Sequence, residues 1–100
     1  MTESATTVPA TIESQDLEAL TRTLRFHRLM LHNDDVNSME HVVESLLVCV
    51  PELEPEQAVA VMLEAHEQGV AQVLACPLER AELYRDRLWS QGLTATIESD

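Results

Sequence analysis

No lysine occurs in the 100 residues; the six basic side chains are all arginine, and against 18 acids they leave a formal charge of −12. Such a surface repels nucleic acid and anionic lipid. Chemistry built on lysine, whether a Schiff base or a phosphate-binding loop, is excluded with it. Two glycines are too few for a phosphate cradle, and both fall where helices end. Only three residues are aromatic although 45% are hydrophobic, so the core must be made of Leu, Val, Ala and Met. No apolar run approaches the ~18 residues that span a membrane. Met1-Thr2-Glu3 begins neither a basic n-region nor a signal sequence, so a cytoplasmic, unexported protein is expected. Cys49 and Cys76 sit among apolar neighbours and read as reduced core residues rather than a disulfide. Four histidines invite a metal, yet there is no Cys-x-x-Cys or His-x-x-x-His. His41 and Cys49 lie two helical turns apart, roughly 12 Å, too far to share one ion. Neither a metal nor a cofactor is expected, and no nucleophile elbow points to catalysis.

The chain reads as one small domain. Residues 1–23, rich in Thr, Ser, Ala and acid, form a flexible acidic extension in which Leu17-Glu18-Ala19-Leu20 has the makings of a short helical turn. From residue 24 to 100 the order is strand, helix, helix, strand, helix, strand. Arg25 to Leu31 is an apolar run of strand length. Ser38 caps a helix whose face carries Met39, Val42, Val43, Leu46, Leu47 and Val50, stopped by Pro51. Pro55 opens a second helix with Val59, Met62, Leu63 and His66 on its apolar face and Gly69 as its cap. Val70 to Cys76 is a strand. Pro77 opens a third helix with Leu78, Ala81, Tyr84 and Leu88 inward, ending at Gly92, and Leu93 to Ile97 alternates as the last strand. An α+β fold results, with a three-stranded antiparallel sheet packed against three helices.

The stretch Asn33-Asp34-Asp35 is first of all a turn, since these side chains hydrogen-bond their own backbone. Directly after it comes the apolar face of a capped helix, so acids stand at the lip of a hydrophobic surface. Carboxylates and amide oxygens accept hydrogen bonds from a cation, and a hollow beside them takes a large side chain. A peptide amino terminus carries both features one bond apart.

Asn33-Asp34-Asp35, Met39-Glu40 and Val42-Val43, joined to Met62-Leu63 and His66-x-x-Gly69, resemble the ClpS family, adaptors that hand proteins with bulky hydrophobic N-terminal residues to a Clp AAA+ protease. The resemblance runs from about Arg25 to the end of the chain. It implies a ClpS-like fold, a plan shared with ribosomal stalk C-terminal domains, and a non-enzymatic adaptor. Its partners are N-degron peptides beginning with Leu, Phe, Tyr or Trp, and the N-terminal domain of a Clp AAA+ ATPase. It implies that Asn33, Asp34 and His66 hold the substrate's α-amino group. Asn37, Met39, Val42, Met62, Ala65 and Leu93 then line the side-chain pocket. Asp35 either caps the turn or frames the pocket rim. The extension by itself reads as a dispensable tail, whereas the resemblance implies that it takes part in delivery.

Several positions depart from the family pattern. Ser38 replaces a common Pro, Val36 and His41 stand where aromatics are frequent, and Ala65 is smaller than the usual β-branched residue. Glu79 and Glu82 match acidic positions of the family's docking patch, although acids in a first helical turn also complement the helix dipole. Tyr84 replaces a lysine found there in some members. The alternative reading, from another class, is a small acidic interaction domain that docks on an AAA+ or ribosomal partner and has no peptide pocket.

Overall fold

The structure, a computed structural model, describes residues 14–99. Its elements are α1 (Ser14–Leu24), β1 (Phe26–His32), α2 (Met39–Cys49), α3 (Pro55–Gln68), β2 (Val70–Pro77), α4 (Leu78–Ser90) and β3 (Thr94–Ser99). The strand-helix-helix-strand-helix-strand order expected after residue 24 is present. In front of it stands α1, which extends over 11 residues where a single turn was foreseen. The rest of the expected flexible extension, residues 1–13, lies outside the described residues.

The sheet runs β2-β1-β3, antiparallel throughout. Its inner face is set by cross-strand partners that point the same way: Leu31 stands opposite Ala71 on one side and Ala95 on the other, and all three are buried. A bulge between Leu29 and Met30 shifts the register, so burial along β2 steps from Val73 to Cys76 instead of alternating. Outward, Arg28 reaches across the sheet to Glu98 at 3.2 Å.

Local chemistry sets the helix ends. Ser38 Oγ accepts the His41 backbone N–H at 3.1 Å and starts α2. Glu54 N–H donates to Gln57 Oε1 at 2.8 Å just ahead of Pro55, the first residue of α3. Gly69 ends that helix in the left-handed region at φ 89°, which a side chain would strain.

One helix face differs from expectation. The stripe Val59, Met62, Leu63 and His66 is not the buried face of α3; Ala58, Val61 and Ala65 are. Both sets repeat at helical spacing, one residue or about 100° apart. The smaller set lets α3 approach the sheet and α2 closely. The larger one is turned out, leaving Leu63 42% exposed and Met62 and His66 free to face the N-terminal end of α2. Both cysteines are buried and unpaired, as expected. Among the described residues no helix is long and apolar enough to cross a membrane.

Candidate functional site

β1 ends at His32, and the next residue, Asn33, donates its backbone N–H to Gly69 O at 2.9 Å. That bond ties the end of β1 to the C-terminal cap of α3, which brings Asn33 beside the last turn carrying His66. The chain then folds around one carboxylate. Asp34 Oδ1 accepts the backbone N–H groups of Val36 at 2.9 Å and Asn37 at 2.8 Å, while Oδ2 accepts Asn37 Nδ2 at 2.9 Å. The Asn37 backbone N–H above all, with the other two donors, holds the Asp34 carboxyl below its usual range. Asp34 is thus the residue that caps the turn. Asp35, for which capping was one of two expected roles, lies exposed at the cavity rim.

Asn37 works in two directions. Its Nδ2 also donates to Gly92 O at 2.9 Å, so both amide hydrogens are spent, and among the described residues Oδ1 has no partner. One turn into α2, His41 Nε2 lies 2.7 Å from Gln91 O. A carbonyl only accepts, so Nε2 carries the hydrogen. Asn37 and His41 together brace the turn Gln91-Gly92, which a φ of 84° at Gly92 makes a glycine position. The brace fixes the position of Leu93, the residue just before β3. Sequence reasoning missed it, and the only available signal was the polar His41 at a position read as commonly aromatic in the family.

Between these parts lies a cavity of about 320 Å³. All ten residues expected at the peptide site line it: Asn33, Asp34, Asp35, Asn37 and His66 supply the polar share, and Met39, Val42, Met62, Ala65 and Leu93 the apolar share. Leu31, His32 and Ser38 also border it and were not foreseen there. His32 is held by Thr96, Nε2 to Oγ1 at 2.7 Å. Buried Ala65 and Leu93 belong to the main core, so the floor is rigid, whereas Met39 is 45% exposed at the mouth. Asp34 retains about one of a carboxylate's four acceptor sites. The cavity therefore offers several hydrogen-bond acceptors to a cation beside apolar walls. No cluster of His, Cys, Asp and Glu suited to a metal ion occurs among the described residues.

Glu79 and Glu82 do not join this cavity. They are exposed on α4. Near them Tyr84, read both as an inward residue of its helix and as the replacement for a docking lysine, is only 6% exposed. Its hydroxyl donates to Glu52 Oε1 at 2.5 Å, and Arg80 Nη1 reaches Glu52 Oε2 at 3.2 Å. Burial, then the bond to Glu52, pushes Tyr84 up to about 12. For Glu52, burial pushes upward, but the Tyr84 hydroxyl, the residue's own backbone N–H and the Arg80 guanidinium together outweigh it and leave the carboxyl below its usual range.

Comparison with known proteins connects this geometry to a family. The family model of the ATP-dependent Clp protease adaptor protein ClpS matches residues 22–96. The ClpS adapter of Synechococcus sp. strain CC9902 is 50% identical over 74 residues, covering 74% of this chain and 71% of its own. That of Gloeobacter violaceus is 42% identical over 79 residues, covering 79% and 85%. The structure of Agrobacterium tumefaciens ClpS2 bound to L-phenylalaninamide superposes with a TM-score of 0.72 at 26% identity, covering 77% of this chain and 99% of that one. The chain belongs to the ClpS family of adaptors for the ATP-dependent Clp protease.

Proposed function

We propose that the cavity captures the free amino terminus of proteins beginning with a bulky hydrophobic residue, Leu, Phe, Tyr or Trp, so that the adaptor delivers them to a Clp AAA+ ATPase. The observation that carries this reading is the meeting of Asn33, Asp34 and His66 with Met39, Val42, Met62 and Leu93 in one hollow. An ammonium has three donors and no acceptor. Asn33 Oδ1, the Asp34 carboxylate and a neutral His66 ring nitrogen are the acceptors assigned to it. Asn37 braces the pocket rim, and its free Oδ1 is available to the same cation.

Specificity among first residues comes from the walls. Burying a Leu or Phe side chain contributes about 1.5–3 kcal/mol, roughly ten- to a hundredfold over glycine, so the amine anchors and the side chain selects. At about 320 Å³ the cavity is at the small end for a ligand site. It has room for one bulky side chain and its amine. The ligand of the Agrobacterium relative, L-phenylalaninamide, has that composition: a free α-amine, a benzyl group and an amide where the next peptide bond would begin. Docking on the N-terminal domain of the ATPase is assigned to Glu79 and Glu82 on α4, outside the cavity.

The test is fluorescence anisotropy with short peptides beginning in Phe, Tyr, Trp, Leu or Ala, each with a free and an acetylated amino terminus. Binding confined to free, bulky first residues is expected. Binding that survives acetylation contradicts amine capture, and no binding to any peptide leaves only a docking module.

A further inference from the structure

The two flanks of the cavity are fastened by different means. On the α3 side the fastening is main chain to main chain, Asn33 N–H to Gly69 O at 2.9 Å. Between the start of α2 and the turn before β3 it is made by side chains: His41 Nε2 donates to Gln91 O at 2.7 Å and Asn37 Nδ2 to Gly92 O at 2.9 Å. Both bonds are solvent-exposed, so they open more readily than the ladder of the sheet. Asn37 lines the cavity and is already engaged with Asp34. His41 does not line it, yet Met39 and Val42 on either side of it do, as does Leu93, two residues beyond Gln91. The imidazole is therefore a strut between two walls that it does not itself form.

Its length is well defined. The ring is rigid beyond its two side-chain torsions, and Ser45 Oγ, buried one turn further along α2, lies 3.4 Å from the same nitrogen. Nε2 thus faces two oxygens in one ring orientation. The walls that the strut joins differ in how far they can give. Leu93, like Ala65, is fixed in the main core, whereas the first turn of α2 is a helix end with Met39 45% exposed. A captured side chain that fits between them leaves the strut alone, but a wider one must push the first turn of α2 outward and stretch the bond. That cost is bounded by what one hydrogen bond contributes, and it rises with width from Leu through Phe to Trp. We propose that His41 is a positioning residue for first-residue selection: by holding Met39 and Val42 at a set distance from Leu93, it penalises Trp relative to Leu. This rests on amine capture in the cavity, and it concerns which first residue is preferred rather than whether one is bound.

The experiment titrates the full chain and its His41→Leu and His41→Gln variants with labelled peptides that differ only in their first residue, Leu, Phe or Trp, each with a free and an acetylated amine. Leucine keeps bulk without a donor, and glutamine returns an N–H donor. The ratio of the Trp to the Leu dissociation constant, taken within one preparation, is independent of the fraction that is folded. It is expected to fall about two- to tenfold in H41L, the range that one hydrogen bond spans, and to stay near its original value in H41Q. The backbone amide of Val42, bonded to Ser38 O, should exchange faster in H41L. An equal change of all three constants in H41L would reduce His41 to support of the fold and overturn the assignment, as would a ratio that H41Q shifts as far as H41L. Faster exchange at Val42 with an unmoved ratio, while acetylation still abolishes binding, would show a strut that selects nothing and would remove this inference alone. If no free-amine peptide bound the unchanged chain, amine capture would fall and take this inference with it.

Discussion

At its C-terminal end α2 packs Leu46, Cys49 and Val50 into the same buried core as Tyr84 and Leu88 of α4. At its N-terminal end Met39 and Val42 look across to Ala65 of α3 and to the Gly92-Leu93 turn, and a cavity is left. Residue volume accounts for the contrast: a phenol and a leucine fill one end, while a methyl group and a glycine turn face the other. Polar groups show the same division. Glu52, Arg80 and Tyr84 satisfy one another beside the filled end. Around the hollow, Asp34 and Asn37 spend only part of their capacity on the loop and keep acceptors to spare. In this small fold the filled core and the proposed binding hollow thus stand at opposite ends of one helix.

Leu88→Ala is the most severe way to disturb the filled end. It should cost about 2–5 kcal/mol of unfolding free energy in a denaturant titration, with the order of preference among peptides unchanged. An altered order would mean that the ends are not independent. Asp34→Ala attacks the open end and should weaken every free-amine peptide alike, by roughly tenfold or more if a charged hydrogen bond of about 1.5–3 kcal/mol is lost. Because the folded pKa of Asp34 is depressed, its contribution to stability is fully present above 3.8 and is lost as the pH falls through its lower folded value. Asp34→Asn should flatten that acid limb in thermal melts across the same interval.

Met39→Ala, at the mouth of the cavity, should change the ranking among Phe, Tyr, Trp and Leu by about 1 kcal/mol without abolishing binding. If Asp34→Ala changed only the ranking and Met39→Ala lowered all affinities equally, the two roles would be reversed. Tyr84→Phe is the mildest change. It should cost about 0.5–1.5 kcal/mol of stability and leave peptide affinity alone. The folded Tyr84 is raised from 10.0 to about 12, so the stability it protects is complete below pH 10 and is lost as the pH rises through about 12. The Phe variant should show a shallower alkaline decline in unfolding experiments over that range.

The parts that were legible in the sequence are those written in local chemistry. Ser38 announces the start of α2, Pro55 the start of α3 and Gly69 its end, and the short polar run at Asn33 announces a turn. That run and the Met62 to His66 stretch carry the family resemblance, and it was the resemblance, not local chemistry, that named the ten expected residues now found around the cavity; Leu31, His32 and Ser38 were not among them. The buried side of α3 was misread because Ala58-Val61-Ala65 and Val59-Met62-His66 both obey the helical period, and size favoured the wrong one. The length of α1 was hidden by its acid and threonine content, which reads as a tail. The brace from Asn37 to Gly92 joins positions 55 residues apart, so nothing local encodes it. Tyr84 sits at an inward position of its helix, as its spacing predicts; its bond to Glu52, 32 residues away, is what the period alone does not reveal.

The central claim, a cavity that needs both a free amine and a bulky side chain, is tested most directly by observing backbone amide NMR signals while titrating L-phenylalaninamide and, separately, its N-acetylated form. Saturable shifts at Asn33, Asp34, Met62, His66 and Leu93 with the free amine, and none with the acetylated compound, are the predicted result. Equal shifts with both compounds, or shifts confined to α4 around Glu79 and Glu82, would contradict it.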